Sequence, residues 1–197
     1  MEQKQALSRL YTVEEYQALE ATSPERHEFY RGEIMAMSGG TANHNSLVLR
    51  CASRLLSTEE RGCRVFTETV QLEVAEGVQY TYPDVMVTYH DEDVMAERTR
   101  RHPVLLIEVL SPSTADRDRV WKLFRYQRLA SLRHYLLVSQ QYQAVEWFHR
   151  TDEGSDWQQE LLTKPEEAVK IPELGTQLLL ADIYASLRIP LVTDDAA

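Results

Sequence analysis

Two acidic residues of this chain lie in unusually apolar company. Asp84 sits in Tyr82-Pro83-Asp84-Val85-Met86-Val87, and Glu108 in Val104-Leu105-Leu106-Ile107-Glu108-Val109-Leu110. Both stretches are short, nearly uninterrupted apolar runs bounded by proline or polar residues, the pattern of interior strands. A carboxylate in such a strand is costly to desolvate unless a cation meets it. Hard divalent cations take oxygen ligands, commonly one or two carboxylates completed by water and a substrate phosphate. Asp84 and Glu108 on neighbouring strands would therefore hold Mg (or Mn), which polarises a phosphoryl oxygen and lowers the pKa of an attacking water. Lys122, downstream of Glu108, supplies an amine that can orient the nucleophile and offset the charge building on phosphorus.

The elements that must position these groups follow from periodicity. Glu108 alternates with Leu106 and Leu110 on one strand face, and Asp84 shares a face with Met86. If the strands are neighbours in register, both carboxylates point to the same side. Ser111-Pro112-Ser113-Thr114 starts a helix that runs to about Leu129, with Asp116 and Asp118 in its first turn as the macrodipole favours. Its apolar stripe centres on Val120 with Leu123, Phe124 and Gln127, and Lys122 falls on the border beside Tyr126. There the stem can pack while the ammonium reaches the carboxylates, and a leucine should be tolerated. Tyr126 is placed to hydrogen-bond a carboxylate or a phosphate.

Upstream, Thr12-Val13-Glu14-Glu15 forms a capping box for a helix ending near Thr22-Ser23-Pro24. His27 to Met37 reads as a hairpin turning at Arg31-Gly32. Asn43 caps a helix to about Ser57, with Leu47, Leu49, Ala52, Leu55 and Leu56 as its apolar stripe. Strands follow at 63–66 and 70–74, then around Asp84. His90 to Arg101 reads as an exposed loop or short helix. Further strands are expected at 135–138, 144–148 and 157–162, with a closing helix at 179–187. Glu33, Glu68 and Glu73 read as solvent-facing strand residues. Helices before and between strands, with buried runs in the middle, indicate an α/β or α+β sandwich around a mixed sheet.

At 197 residues the chain is most simply one domain spanning 1–197. No run approaches a membrane span, and the N-terminus lacks the apolar core of a signal peptide. Cys51 and Cys63 form no metal-spaced cluster and are too few for a disulfide framework, so a reduced cytoplasmic protein is expected. The net charge of −10 argues against nucleic acid as a partner of the whole surface. Its distribution qualifies that. From Arg98 to Arg133 nine Lys/Arg meet three Asp/Glu, a local +6 that leaves −16 for the remainder.

Tyr82-Pro83-Asp84-Val85, then Ile107-Glu108-Val109-Leu110-Ser111-Pro112-Ser113-Thr114, then Asp118-x-x-x-Lys122-x-x-x-Tyr126 resembles the Uma-type restriction endonucleases of the PD-(D/E)XK nuclease superfamily. His27-Glu28-Phe29-Tyr30-Arg31-Gly32-Glu33-Ile34 resembles that family's first strand pair, and His44 falls where it usually has a histidine. The likeness covers roughly 11–187. It implies a restriction-endonuclease-like sandwich with a mixed four-stranded core, magnesium-dependent DNA cleavage and a homodimer. It also implies accessory roles: Glu28 as a further metal ligand or its support, and His44 touching a phosphate or acting as acid/base.

Two positions depart from the pattern. The superfamily's usual lysine position, two residues after Glu108, is Leu110, so Lys122 must supply the amine from the helix. The family's usual acid after the next strand is replaced in Tyr135-Leu136-Leu137-Val138-Ser139. No GxSxG elbow, P-loop, Rossmann glycine pattern, HExxH or Cys/His cluster is present. Two readings therefore stand. One is a metal-dependent DNA endonuclease using Asp84, Glu108 and Lys122. The alternative is a nuclease-fold protein that binds nucleic acid or a protein partner without cutting it.

Overall fold

The computed structural model describes residues 9–37, 39–111 and 121–192. Helix α1 (Val13–Thr22) begins with the capping box: the Thr12 hydroxyl accepts the Glu15 amide, and the Glu15 carboxylate accepts the Thr12 amide. Strands β1 (His27–Tyr30) and β2 (Glu33–Ala36) form the hairpin. They turn at Arg31 and Gly32, both at positive φ. Helix α2 (Ala42–Leu55) is capped by Thr41 rather than Asn43, because the Thr41 hydroxyl accepts the His44 amide. This phase turns Leu47, Val48, Cys51 and Leu55 inward and leaves Leu49 and Leu56, expected in the stripe, largely exposed.

Strands β3 (Arg64–Thr67), β4 (Gln71–Ala75), β5 (Gln79–Thr81) and β6 (Val85–Thr88) follow. The stretch read as an exposed loop or short helix holds α3 (Asp91–Met95) and β7 (Thr99–Arg100), with Asp93 and Arg100 buried. Then come β8 (Leu105–Leu110), α4 (Leu123–Tyr126), β9 (His134–Ser139), β10 (Val145–His149) and β11 (Gln158–Leu162). The chain closes with β12 (Ala168–Ile171), β13 (Thr176–Leu179) and α5 (Leu180–Ile183). The expected helix start over Pro112-Ser113-Thr114, with Asp116, Asp118 and Val120, lies outside the described residues.

The central sheet has the order β11-β10-β9-β8-β6-β3, six strands where the resemblance implied four. It is mixed: β8 and β9 run parallel, and the other neighbours antiparallel. A second sheet has the order β2-β1-β5-β4-β7. The β12–β13 pair lies in a stretch left unassigned from sequence apart from Leu179, and α5 falls within the expected closing helix.

One face of the central sheet packs Val85, Val87, Leu105 and Ile107 against Leu47, Val48, Cys51 and Leu55 of α2. The other packs Met86, Leu106 and Leu110 against Tyr126 of α4 and Leu72 of β4. Helices thus flank a mixed sheet, as expected for the α+β sandwich. Phe124, expected in the stripe of its helix, is largely exposed, while Tyr126 and Leu129 point inward. Leu110, at the position of the usual lysine, belongs to this apolar face.

The run around Asp84 is not one continuous strand. The chain leaves β5 in the second sheet and enters β6 in the central sheet through Tyr82-Pro83-Asp84. Pro83 has no N–H for a ladder, so the run breaks there. Asp84 therefore stands at the crossing between the two sheets. Among the described residues, no helix is long and apolar enough to cross a membrane.

Candidate active site

The crossing gathers side chains from four directions. β6 and β8 are antiparallel with Val85 opposite Ile107 and Met86 opposite Leu106. Asp84, just before β6, and Glu108 of β8 meet at the end of this pairing and line the same pocket. Glu28 comes from β1 in the second sheet, and His44 from the first turn of α2. Lys122 arrives just before α4. All five line one pocket of about 140 Å³, with Glu68, Tyr82 and Ser111 on its wall.

Hydrogen bonds hold these groups in place. Asp84 Oδ2 accepts the Val109 backbone N–H at 2.6 Å, which locks the carboxylate onto β8. Lys122 Nζ lies 2.9 Å from Glu108 Oε1 and 3.3 Å from Glu28 Oε1. Its side chain is only 8% exposed, so Lys122 is an interior residue and not the border residue the stripe suggested. Tyr126 donates its hydroxyl to Glu108 Oε1 at 3.0 Å and contacts Thr81 Oγ1 at 3.1 Å. Burial, and then the Glu108 charge, push the Tyr126 phenol well above its ordinary pKa, so it serves as a hydrogen-bond donor.

His44 Nε2 lies 3.3 Å from Asp84 Oδ1 and 3.5 Å from Glu68 Oε1. The Asp84 hydrogen bond raises the imidazole pKa, and partial burial opposes it without prevailing. Donor atoms of His44, Glu68 and Asp84 all lie within 4.8 Å of one another. Four carboxylates therefore share the pocket with one lysine ammonium and one histidine. That excess of negative charge, built from hard oxygen donors, suits a divalent cation.

The structure thus brings together Asp84, Glu108, Lys122, Glu28, His44 and Tyr126, all singled out from sequence. It adds Glu68, read from sequence as a solvent-facing strand residue. Glu68 stands in the turn after β3 with φ at 39°, outside the strand pattern that periodicity can detect. Glu73, also read as solvent-facing, is buried: its carboxylate takes the Tyr80 hydroxyl at 2.5 Å and Arg101 Nε at 2.6 Å.

A profile of the Uma2 family, described as "Putative restriction endonuclease", matches residues 13–181. The chain belongs to the Uma2 family. Two relatives come from Synechocystis sp. (strain ATCC 27184 / PCC 6803 / Kazusa). The uncharacterized protein slr1290 is 31% identical over 175 residues, covering 88% of this chain and 91% of the relative. The uncharacterized protein sll1609 is 36% identical over 152 residues, covering 74% and 84% respectively. In fold the chain matches a crystal structure described as "a putative nuclease belonging to DUF820" from Anabaena variabilis ATCC 29413. The TM-score is 0.70 at 19% identity, over 89% of this chain and 98% of that one. Membership of the Uma2 family carries a nuclease-like function, on a nuclease-like fold.

Proposed function

We propose that this chain is a divalent-metal-dependent DNA endonuclease that hydrolyses phosphodiester bonds, with Asp84 and Glu108 as ligands for Mg (or Mn). The observation that carries the reading is the buried Lys122 ammonium, 2.9 Å from Glu108 in the pocket that Asp84 also lines. When bound, the metal acts as a Lewis acid on the phosphoryl oxygen and lowers the pKa of water. Asp84 is oriented for its role by the Val109 amide, and Glu108 by the Tyr126 hydroxyl. Lys122 donates hydrogen bonds near the reacting phosphate, orienting the nucleophile and stabilising the charge that grows on phosphorus. Glu28 holds the Lys122 ammonium from the second sheet, which keeps it aimed at Glu108.

The basic segment from Arg98 to Arg133 supplies local positive charge for a DNA backbone in an otherwise acidic protein. Family resemblance supports a homodimer, and the shared pocket between two sheets supports a single domain. The test is direct. Supercoiled plasmid and single-stranded DNA are incubated with the protein in Mg2+, Mn2+ or a chelator. Nicking or linearisation that requires the metal supports the reading. DNA that is bound but never cut in either metal contradicts it, and leaves a nuclease-fold binding protein.

A further inference from the structure

We infer that His44 and Glu68 join Asp84 and Glu108 as metal ligands, and that the imidazole in this donor set selects Mn2+ or a similar transition ion over Mg2+. The inference rests on the proposed metal-dependent reading and names which ion that site prefers. Its first ground is convergence. His44 Nε2 faces Asp84 Oδ1 at 3.3 Å and Glu68 Oε1 at 3.5 Å, and the three donor groups fall within 4.8 Å of one another. The second ground is the division of labour in the pocket. Glu28 and Glu108 share Lys122, whereas Glu68 and Asp84 both turn to His44.

The third ground is that the backbone is shaped around this triad. A Cβ on Gly40 would lie 2.7 Å from His44 Cδ2, so a larger residue there would displace the imidazole. Thr41 caps the helix that carries His44 by accepting its backbone amide at 3.1 Å. Glu68 adopts φ 39°, a conformation that non-glycine residues seldom take and that recurs where a site demands it. Its amide donates to the Asp84 carbonyl at 3.3 Å, tying the turn to the residue it faces.

The chemistry of the ion follows from the donors. Mg2+ is hard, keeps its waters and favours oxygen alone. An imidazole among the carboxylates favours first-row transition ions, with affinity rising from Mn2+ towards the later metals. The same residues with a glutamine or serine in place of His44 would lose that preference.

The test measures binding in the absence of DNA. Free Mn2+ is followed by its paramagnetic resonance signal as the whole protein is titrated, and Mg2+ is then added as competitor. Wild type should bind Mn2+ more tightly than Mg2+. His44→Ala and Gly40→Ala should weaken Mn2+ by about tenfold to a hundredfold, the scale on which perturbed metal sites lose affinity, and change Mg2+ little. Glu68→Gln should weaken both ions. Melting curves without metal show whether each variant is folded, and Glu68→Gln remains informative if a change at His44 unfolds the chain. Wild-type Mn2+ affinity in His44→Ala, with binding lost in Asp84→Asn, would overturn this inference alone. No binding of either ion to wild type would overturn it together with the metal-dependent reading.

Discussion

Lys122 is held between Glu108 and Glu28, and all three side chains are almost fully buried. The sequence placed Lys122 at a stripe border, where leucine would be tolerated. Burial reverses that expectation. Removing the ammonium leaves two interior carboxylates without it, and breaking a buried pair this way costs about 3–5 kcal/mol. Lys122→Leu should therefore lower the urea midpoint of the metal-free protein markedly, and a divalent cation should recover part of the loss. An unchanged midpoint would mean that Lys122 does not hold these acids together. Asp84, Glu108 and Lys122 were legible as chemistry because carboxylates in apolar runs are conspicuous. Glu68 was not, since its position depends on one turn's backbone angle, which leaves no periodic trace.

At the scale of elements, Arg150 ties the end of the Lys122 segment to β10. Its Nε donates to the Leu132 carbonyl at 2.9 Å, and its Nη2 to the Leu129 carbonyl at 2.6 Å. Hydrogen bonds from a charged donor contribute about 1.5–3 kcal/mol each. Arg150→Met keeps much of the volume but loses these bonds and a third to the Ala130 carbonyl at 3.2 Å, so unfolding by urea should show a loss of about that size or more. A loss below ~0.5 kcal/mol would mean that the carbonyls find water at no cost.

His134 on β9 offers a pH test of the same region. Trp147 Nε1 donates to His134 Nδ1 at 3.2 Å, so that nitrogen must be unprotonated, and Nε2 faces Glu173 at 2.8 Å. Burial depresses the His134 pKa, and the Glu173 hydrogen bond opposes it without prevailing. A histidine with a depressed folded pKa contributes stability that is full above its unfolded pKa of about 6.5 and is lost as pH falls through the folded value. Unfolding free energies at pH 7.5 and 5.5 should thus differ more in wild type than in His134→Gln. Equal differences would exclude His134 as a source of acid sensitivity. Element types were largely legible, since capping and alternation are local. The break at Pro83 was not, because a strand run that changes sheets reads as continuous, and β12 and β13, four residues each, were too short to stand out as strands.

For the whole molecule, fold class was legible because the order of helices and buried runs limits the layers that can form. The second sheet was not, as its pairing of β1 with β5 and β4 with β7 joins segments distant in sequence. Charge asymmetry is legible from composition and makes its own prediction. A protein of net charge −10 that binds DNA is predicted to do so through its local positive segment, apart from Arg100 and Lys122, which are buried. Affinity should fall linearly on a log–log plot against salt, with a slope of about −0.9 per phosphate neutralised on duplex DNA. A flat salt dependence would mean that the basic stretch from Arg98 to Arg133 does not meet the backbone.

Asp84, Glu108 and Lys122 are proposed to form a metal-dependent cleavage site. The most direct measurement is the plasmid nicking rate of wild type, Asp84→Asn and Lys122→Ala at saturating Mn2+, with melting temperature and DNA affinity recorded on the same samples. Asp84→Asn removes a charge but little volume and retains an oxygen for the Val109 amide, so it should stay folded and lose cleavage. Lys122→Ala should cut more slowly by about a hundredfold or more, the scale of one lost charge-stabilising donor, while its DNA affinity falls only slightly. Folded variants that nick DNA at the wild-type rate would contradict the account.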